Sequence, residues 1–208
     1  MATKYVKIGA AVVGGALVVG LAAVAGRHSV SSPKRPASAK AAATTTTASA
    51  VSGDLVEFRD DKAGWAMSYP KGWNRLPSGD ADVVLVVSEK PVEANNGGSI
   101  LARDLTLGAP VTDANLAAAK EVTDKVVLSG QGVQLLAQTA VVHQGGLPGY
   151  VYFYSFKDPT TGQEGVHTHY FLFKGSTMIS FVFQGLPKDS FQGLAHLYDE
   201  VIGSFRVL

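Results

Sequence analysis

From residue 54 onward, apolar and polar positions alternate in short runs that turn-forming residues interrupt. Leu55-Val56-Glu57-Phe58 alternates and then meets Asp60-Asp61. The stretch GWAMSYP alternates again, with Trp65, Met67 and Tyr69 on one side and Ala66 and Ser68 on the other. Together they predict a β-hairpin. Pro70 has no N–H for a ladder and biases Tyr69 toward extended geometry, so the second strand should end there. Lys71-Gly72 then allow a turn that returns Trp73 to the core. DVVLVVSE (82–89) reads as a buried strand, 93–99 as a loop and ILARDLTL (100–107) as a further strand. Four more strands are predicted at 133–142, 149–157, 166–174 and 177–184, separated by Gly145-Gly146, by 158–162 and by Lys174-Gly175-Ser176.

Two segments carry helical spacing instead. Thr112 or Asp113 can cap a helix to about Leu128, with Leu116, Ala119, Val122 and Val126 facing inward and Lys120, Glu121, Asp124 and Lys125 outward. After Pro187, the residues Phe191, Leu194, Tyr198, Val201 or Ile202, and Phe205 form one apolar face. Clustered hairpins with two separate helices predict an α+β domain, an antiparallel β-sheet flanked by helices, over residues 54–208.

Residues 1–28 read differently. Ile8 to Ala25 is an uncharged, Gly- and Ala-rich run of 18 residues behind Lys4 and Lys7. It just reaches membrane-spanning length. Ala23-Val24-Ala25 also meets the small-residue rule for signal cleavage. The segment is a signal anchor or a signal peptide cleaved near Ala25. Residues 29–53 are rich in Ala, Thr, Ser and Pro, with no aromatic residue, and so predict a disordered linker. The charge flanks do not settle orientation, because Arg27, Lys34, Arg35 and Lys40 follow the run. Stalk-like composition places the domain outside the cell membrane, held by a single pass.

Charge narrows the function. The first 53 residues hold six Lys/Arg and no acid, leaving 12 basic against 17 acidic residues and a net charge of −5 for the rest. An acidic domain is a poor match for nucleic acid. No cysteine is present, so there is no disulfide, thiolate ligand, thiol nucleophile or lipid-anchor cysteine. No G-x-S-x-G elbow or H-E-x-x-H occurs, and Gly130-x-Gly132 follows a helix rather than a strand. Asp60-Asp61 and Asp199-Glu200 are adjacent carboxylates that diverge on a strand or helix, and read as solvated charge. His167 and His169 are the sharpest chemical candidates. On a strand i and i+2 share a face, so they can chelate a metal if a third ligand such as His143 joins them. The competing reading leaves them exposed on the solvent face.

Both tryptophans, Trp65 and Trp73, follow a glycine and bracket Tyr69-Pro70 without any catalytic residue type between them. These four are read as structural anchors, the glycines allowing close packing at the turns. Phe58-x-Asp60 leading to Gly64-Trp65, then Tyr69-Pro70-x-Gly72-Trp73, the mid-chain helix, a strand meander with Gly149-Tyr150 and a later His, and a closing helix ending in IGSFRVL resemble the PsbP-like domain family. The resemblance spans about residues 55–208. It is nearest to the secreted bacterial LpqN/LpqT type, with a membrane segment in place of the lipid-anchor cysteine. It implies an α-β-α sandwich, no shared active site, no cofactor, and an accessory role. Plant PsbP is an extrinsic photosystem II subunit and a distant fold relative binds the GTPase Ran; neither partner transfers, because no contact residues match. The expectation is a non-catalytic, membrane-tethered module that binds a protein at the outer face of the membrane. The alternative is a small-molecule or lipid carrier with a cavity between sheet and helix.

Overall fold

The computed structural model describes residues 54–91 and 97–208. The predicted anchor or signal segment, the linker 29–53 and residues 92–96 lie outside the described residues. Among the described residues no helix is long and apolar enough to cross a membrane.

The chain opens with the expected hairpin, β1 (Leu55–Asp60) and β2 (Trp65–Pro70), in antiparallel register from Leu55↔Pro70 to Asp60↔Trp65. Its turn is closed by the Gly64 and Ala63 amides, which donate to the Asp60 carbonyl (2.7 Å) and Oδ1 (2.9 Å). Strands β3 (Asn74–Arg75), β4 (Val83–Ser88) and β5 (Gly97–Val111) follow. A 3-10 turn over Asp113–Asn115 leads into α1 (Leu116–Leu128). The Asn115 side chain accepts from the Thr112 amide (2.7 Å) and donates to the Pro110 carbonyl (3.0 Å), which fixes the entry to the helix. Next come β6 (Gln134–Leu135), β7 (Ala140–Gln144), β8 (Leu147–Lys157) and β9 (Glu164–Leu186), then α2 (Ser190–Gly203) and β10 (Arg206–Val207).

Two sheets result. One has three strands in the order β1-β2-β10. The other has seven, ordered β3-β4-β5-β9-β8-β6, with β7 also pairing with β8. β9 doubles back near Gly175 (φ 57°), so residues 164–172 pair with β8 and residues 175–186 with β5. Its two arms lie side by side: His167 bonds Gln184 and His169 bonds Ser180. The sequence expectation of two strands meeting at Lys174-Gly175-Ser176 matches this.

The large sheet is buried on both faces. On one, Leu172, Ile179, Phe181 and Phe183 pack against Leu197, Tyr198, Val201 and Ile202 of α2 and against Trp65 and Met67 of the small sheet. On the other, Tyr150, Tyr152, Phe171, Phe173 and Met178 pack against Leu116, Ala119 and Val127 of α1. Strand periodicity sends neighbouring β9 residues such as Phe171 and Leu172 to opposite cores. The architecture is the expected antiparallel sheet with a helix on each side, augmented by the small second sheet.

Four local expectations change. The predicted strand 133–142 is split into β6 and β7, because two extra residues enter between Leu135↔Tyr154 and Ala140↔Val151. The inner face of α1 is centred on Thr123 and Val127, with Val126 packing at its margin and Val122 outside the buried set. Thr123 tolerates burial because its hydroxyl lies 2.6 Å from that of Tyr152 and donates to the Lys120 carbonyl (3.0 Å). Trp73 is half-buried, edge-on to Tyr198 (6.3 Å), so it covers the rim of the core rather than filling it. Gly64 and Gly72 take φ of 73° and 92°; at Gly72 nothing lies within 4 Å of the missing Cβ, so backbone conformation alone requires glycine, whereas at Gly64 a Cβ would also meet Lys174 Nζ.

Trp65 is fully buried, ringed by Phe58 (5.5 Å), Phe181 (5.2 Å, edge-on) and Phe205 (6.0 Å). Trp65→Ala is expected to cost about 3–5 kcal/mol of unfolding free energy. Trp73→Ala should cost about 1–2 kcal/mol. Urea denaturation checks the order; equal losses would contradict these packing assignments.

Candidate functional site

The first arm of β9 carries the two candidate histidines on the α1 side of the sheet. They are not solvent-exposed: His167 is 1 % and His169 5 % accessible. Each ring stacks on a phenylalanine, His167 on Phe156 (4.1 Å) and His169 on Phe171 (4.0 Å). Tyr154 of β8 sits between them. All four ring nitrogens have partners: His167 Nε2 with Gln184 Oε1 (2.8 Å), His167 Nδ1 with the Tyr154 hydroxyl (3.0 Å), His169 Nδ1 with that same hydroxyl (3.2 Å), and His169 Nε2 with Ser180 Oγ (2.7 Å).

With Oε1 of Gln184 as the terminal acceptor, the protons have one arrangement. His167 Nε2–H donates to Gln184, Tyr154 O–H to His167 Nδ1, His169 Nδ1–H to Tyr154, and Ser180 O–H to His169 Nε2. Both imidazoles are then neutral. Burial pushes His167 down to about 4, against the opposing pull of the Gln184 bond. Burial, the neighbouring His167 and the charge of Arg103 hold His169 well below the ordinary 6.5. Arg103 is itself nearly buried and pairs with Asp80 (2.9 Å) and Asp82 (3.4 Å).

This is not metal-site geometry. Each ring's one lone pair already accepts a hydrogen bond. The expected third ligand, His143, is on the edge strand β7, where its Nε2 lies 2.6 Å from Asp113 Oδ1. Among the described residues no three His, Cys, Asp or Glu side chains converge on a metal-sized point. The chelating reading of His167 and His169 fails on placement, and the solvent-face reading fails on burial.

A carboxyl pair that sequence adjacency could not reveal lies beside Trp65. Trp65 Nε1–H donates to Asp104 Oδ1 (3.1 Å), from β5. Burial, then the hydrogen bond with Asp60 and its charge, push Asp104 up to about 7; the Trp65 bond and Lys62 oppose this. Asp60 thus meets Asp104 across the sheets, rather than being solvated beside Asp61. Lys174 reinforces the same corner by donating to the carbonyls of Ala63 (2.8 Å) and Gly64 (2.7 Å).

The α2 side offers a surface rather than a reaction centre. A groove runs between α2 and β9, lined by Thr168, Tyr170, Phe183, Phe191, Tyr198 and Asp199. It encloses about 40 Å³. Phe153 of β8 lies 5.5 Å from Phe191 and is half-buried. Leu136, 41 % exposed, donates its amide to the Phe153 carbonyl (2.8 Å) and extends the apolar strip toward the sheet edge. Asp199 supplies one carboxylate at the groove wall. Periodicity marked Phe191 and Tyr198 as apolar-face residues, whereas Leu136, Phe153 and Asp199 carried no signal of a shared site.

The order of strands around a doubled β9, with one helix per face, is the feature to compare with known structures. Cyanobacterial PsbP from Synechocystis matches with a TM-score of 0.54 at 17% identity, over 81% of this chain and 98% of that one. The fold is PsbP-like. Mycobacterium tuberculosis LpqN matches with a TM-score of 0.54 at 13% identity, over 74% and 90%. The Saccharomyces cerevisiae Ran-binding protein Mog1p shares the PsbP-like arrangement with a TM-score of 0.50 at 17% identity, over 75% and 96%. A Bacteroides thetaiotaomicron structure also matches (TM-score 0.51, 16% identity, 73% of this chain), and the chain spans about half, 48%, of its length. No family model and no curated protein matches the sequence.

The two buried polar groups of this PsbP-like fold bias stability in opposite directions with pH. Asp104 binds its proton more tightly when folded, so its contribution is complete below about pH 3.8 and is lost as pH rises toward about 7. His167 binds its proton less tightly when folded, so its contribution is complete above pH 6.5 and is lost as pH falls toward about 4. Between pH 4 and 7 the two oppose one another. Asp104→Asn is therefore expected to make the melting temperature climb more steeply with pH than in the wild type. His167→Gln should make it climb less or fall. Thermal melts across pH 4–8 decide; profiles parallel to wild type would contradict both assignments.

Proposed function

We propose that the chain is a non-catalytic, membrane-tethered module that binds another protein outside the cell membrane. The observation that carries the reading is the apolar groove beside α2, where Phe191 and Tyr170 share the lining with Asp199, Phe153 packs on Phe191, and exposed Leu136 is bonded through its amide to Phe153. Aromatic anchors in a shallow groove with a charged rim suit a peptide or loop of a partner. Mog1p is a Ran-binding protein and LpqN is involved in cell envelope biogenesis, which supports a binding role and an envelope setting. The apolar run 8–25 and the linker after it support tethering. A tether would raise the local concentration of a membrane partner and suit weak contacts.

The carrier reading receives less support. Small-molecule sites typically enclose about 300–1,000 Å³, against about 40 Å³ between α2 and the sheet. An acyl chain has no room there.

A photo-crosslinking residue placed at Leu136 or Phe191 of the full chain, in the cells that produce it, is expected to capture a discrete protein. The same residue at Glu121, on the exposed side of α1, should not. Capture of lipid alone would transfer support to the carrier reading, and equal capture at Glu121 would overturn the groove assignment. External protease should degrade the domain on intact cells; a domain that survives untouched would place it on the other side of the membrane.

A further inference from the structure

We infer that β7 is a pairing edge for a second copy of this chain, joining two seven-stranded sheets across a twofold axis. This goes beyond the groove-binding role and does not depend on it.

The hairpin geometry determines which backbone groups are free. β7 and β8 are joined by a two-residue loop, Gly145-Gly146, with φ of 58° and 80°. Two positive φ values make this the primed turn in which the flanking residues, here Gln144 and Leu147, form a hydrogen-bonded pair. Antiparallel pairs alternate, so Val142/Gly149 and Ala140/Val151 also bond across. Val141 and His143 therefore turn their N–H and C=O groups away from β8. Pro148, opposite His143, fits a position that needs no N–H toward β7. Among the described residues β7 pairs with β8 alone, and no side chain takes up the outward groups of Val141 or His143.

Among the described residues no lysine, proline or further strand guards this edge, and the charge that reaches it is the Asp113 carboxylate paired with His143. Natural edges are blunted by lysine, proline or a covering element. β7 reads AVVHQ, and Val141 is 58 % exposed. Residues 126–156 contain no Asp, Glu, Lys or Arg, in a domain of net charge −5. The break between β6 and β7 limits the free edge to five residues but leaves those five straight and uncharged.

A second copy fits because the edge is complementary to itself. The outward groups are two residues apart. An antiparallel pairing centred on Val142 sets Val141 of each copy opposite His143 of the other, with four backbone hydrogen bonds. Val142 meets its own equivalent on the axis, and Ala140 meets Gln144. No like charges face each other. Five-residue strands bury little surface, so the dimer is weak and in rapid exchange.

The absence of cysteine makes the test direct. Val142→Cys introduces one thiol per chain at the axis, where non-hydrogen-bonded partners approach closely enough for a disulfide. Under mild oxidation the full-length Val142→Cys protein is expected to form covalent dimer at least tenfold faster than full-length Glu121→Cys. Adding Val141→Lys, an exposed change that should leave the fold intact by circular dichroism, should remove that excess. The inference is overturned if Val142→Cys crosslinks no faster than Glu121→Cys, or if a folded Val141→Lys variant crosslinks as before.

Discussion

The burial of β9 on both faces is the constraint from which the remaining architecture follows. Its arms stand between β8 and β5, and alternate residues fill two separate cores. Leu172, Phe181 and Phe183 serve the α2 side, while Phe171, Phe173 and Met178 serve the α1 side. A strand buried twice cannot slip by one residue without exchanging both sets. Polar positions on such a strand must find partners inside. The chain Gln184–His167–Tyr154–His169–Ser180 meets that requirement on one face, with each imidazole stacked on an aromatic ring. These histidines are best understood as polar bricks of the sheet.

Much of this architecture was legible from local pattern. The hairpin at 55–70, the strand beginning near 147, the turn at Lys174-Gly175-Ser176 and the apolar face of the last helix all follow from periodicity and turn chemistry. Errors arose where burial depends on distant partners. Thr123 looked less suited to a core than Val122, yet its hydroxyl has Tyr152 waiting beneath it. His167 and His169 looked like an exposed or metal-binding pair because their hydrogen-bond partners, Gln184 and Ser180, are supplied by the returning arm. Asp60 gained its neighbour Asp104 from a different sheet. The groove beside α2 was invisible for the same reason: Phe153 and Tyr170 lie on two strands, and only the packing of α2 over the sheet brings them to Phe191 and Asp199.

The two buried polar centres also divide the electrostatics of the domain. Arg103 is held by Asp80 and Asp82 at the surface. The histidines below it stay neutral, and Asp104 sits near the midpoint of its titration at neutral pH. Among the described residues the buried charged side chains sit apart: Arg103 with Asp80 and Asp82, and Asp158 in the loop after β8, while Asp104 is half-buried beside Trp65 where the two sheets meet. The edge strands β6 and β7 carry no Asp, Glu, Lys or Arg of their own.

The placement of the chain's described ends has a mechanical consequence. β1 and β10 flank β2, so the first and last strands belong to the same small sheet. The Lys71 amide donates to the Asp54 carbonyl (2.7 Å), the last backbone bond before the chain leaves the domain. A pull transmitted through the residues before Asp54 therefore loads β1 first. β1 pairs with β2, and it also reaches the seven-stranded sheet, through Leu55 and Phe58 in the shared core and through the contact of Asp60 with Asp104. Such a pull is therefore shared between the two sheets at the corner beside Trp65.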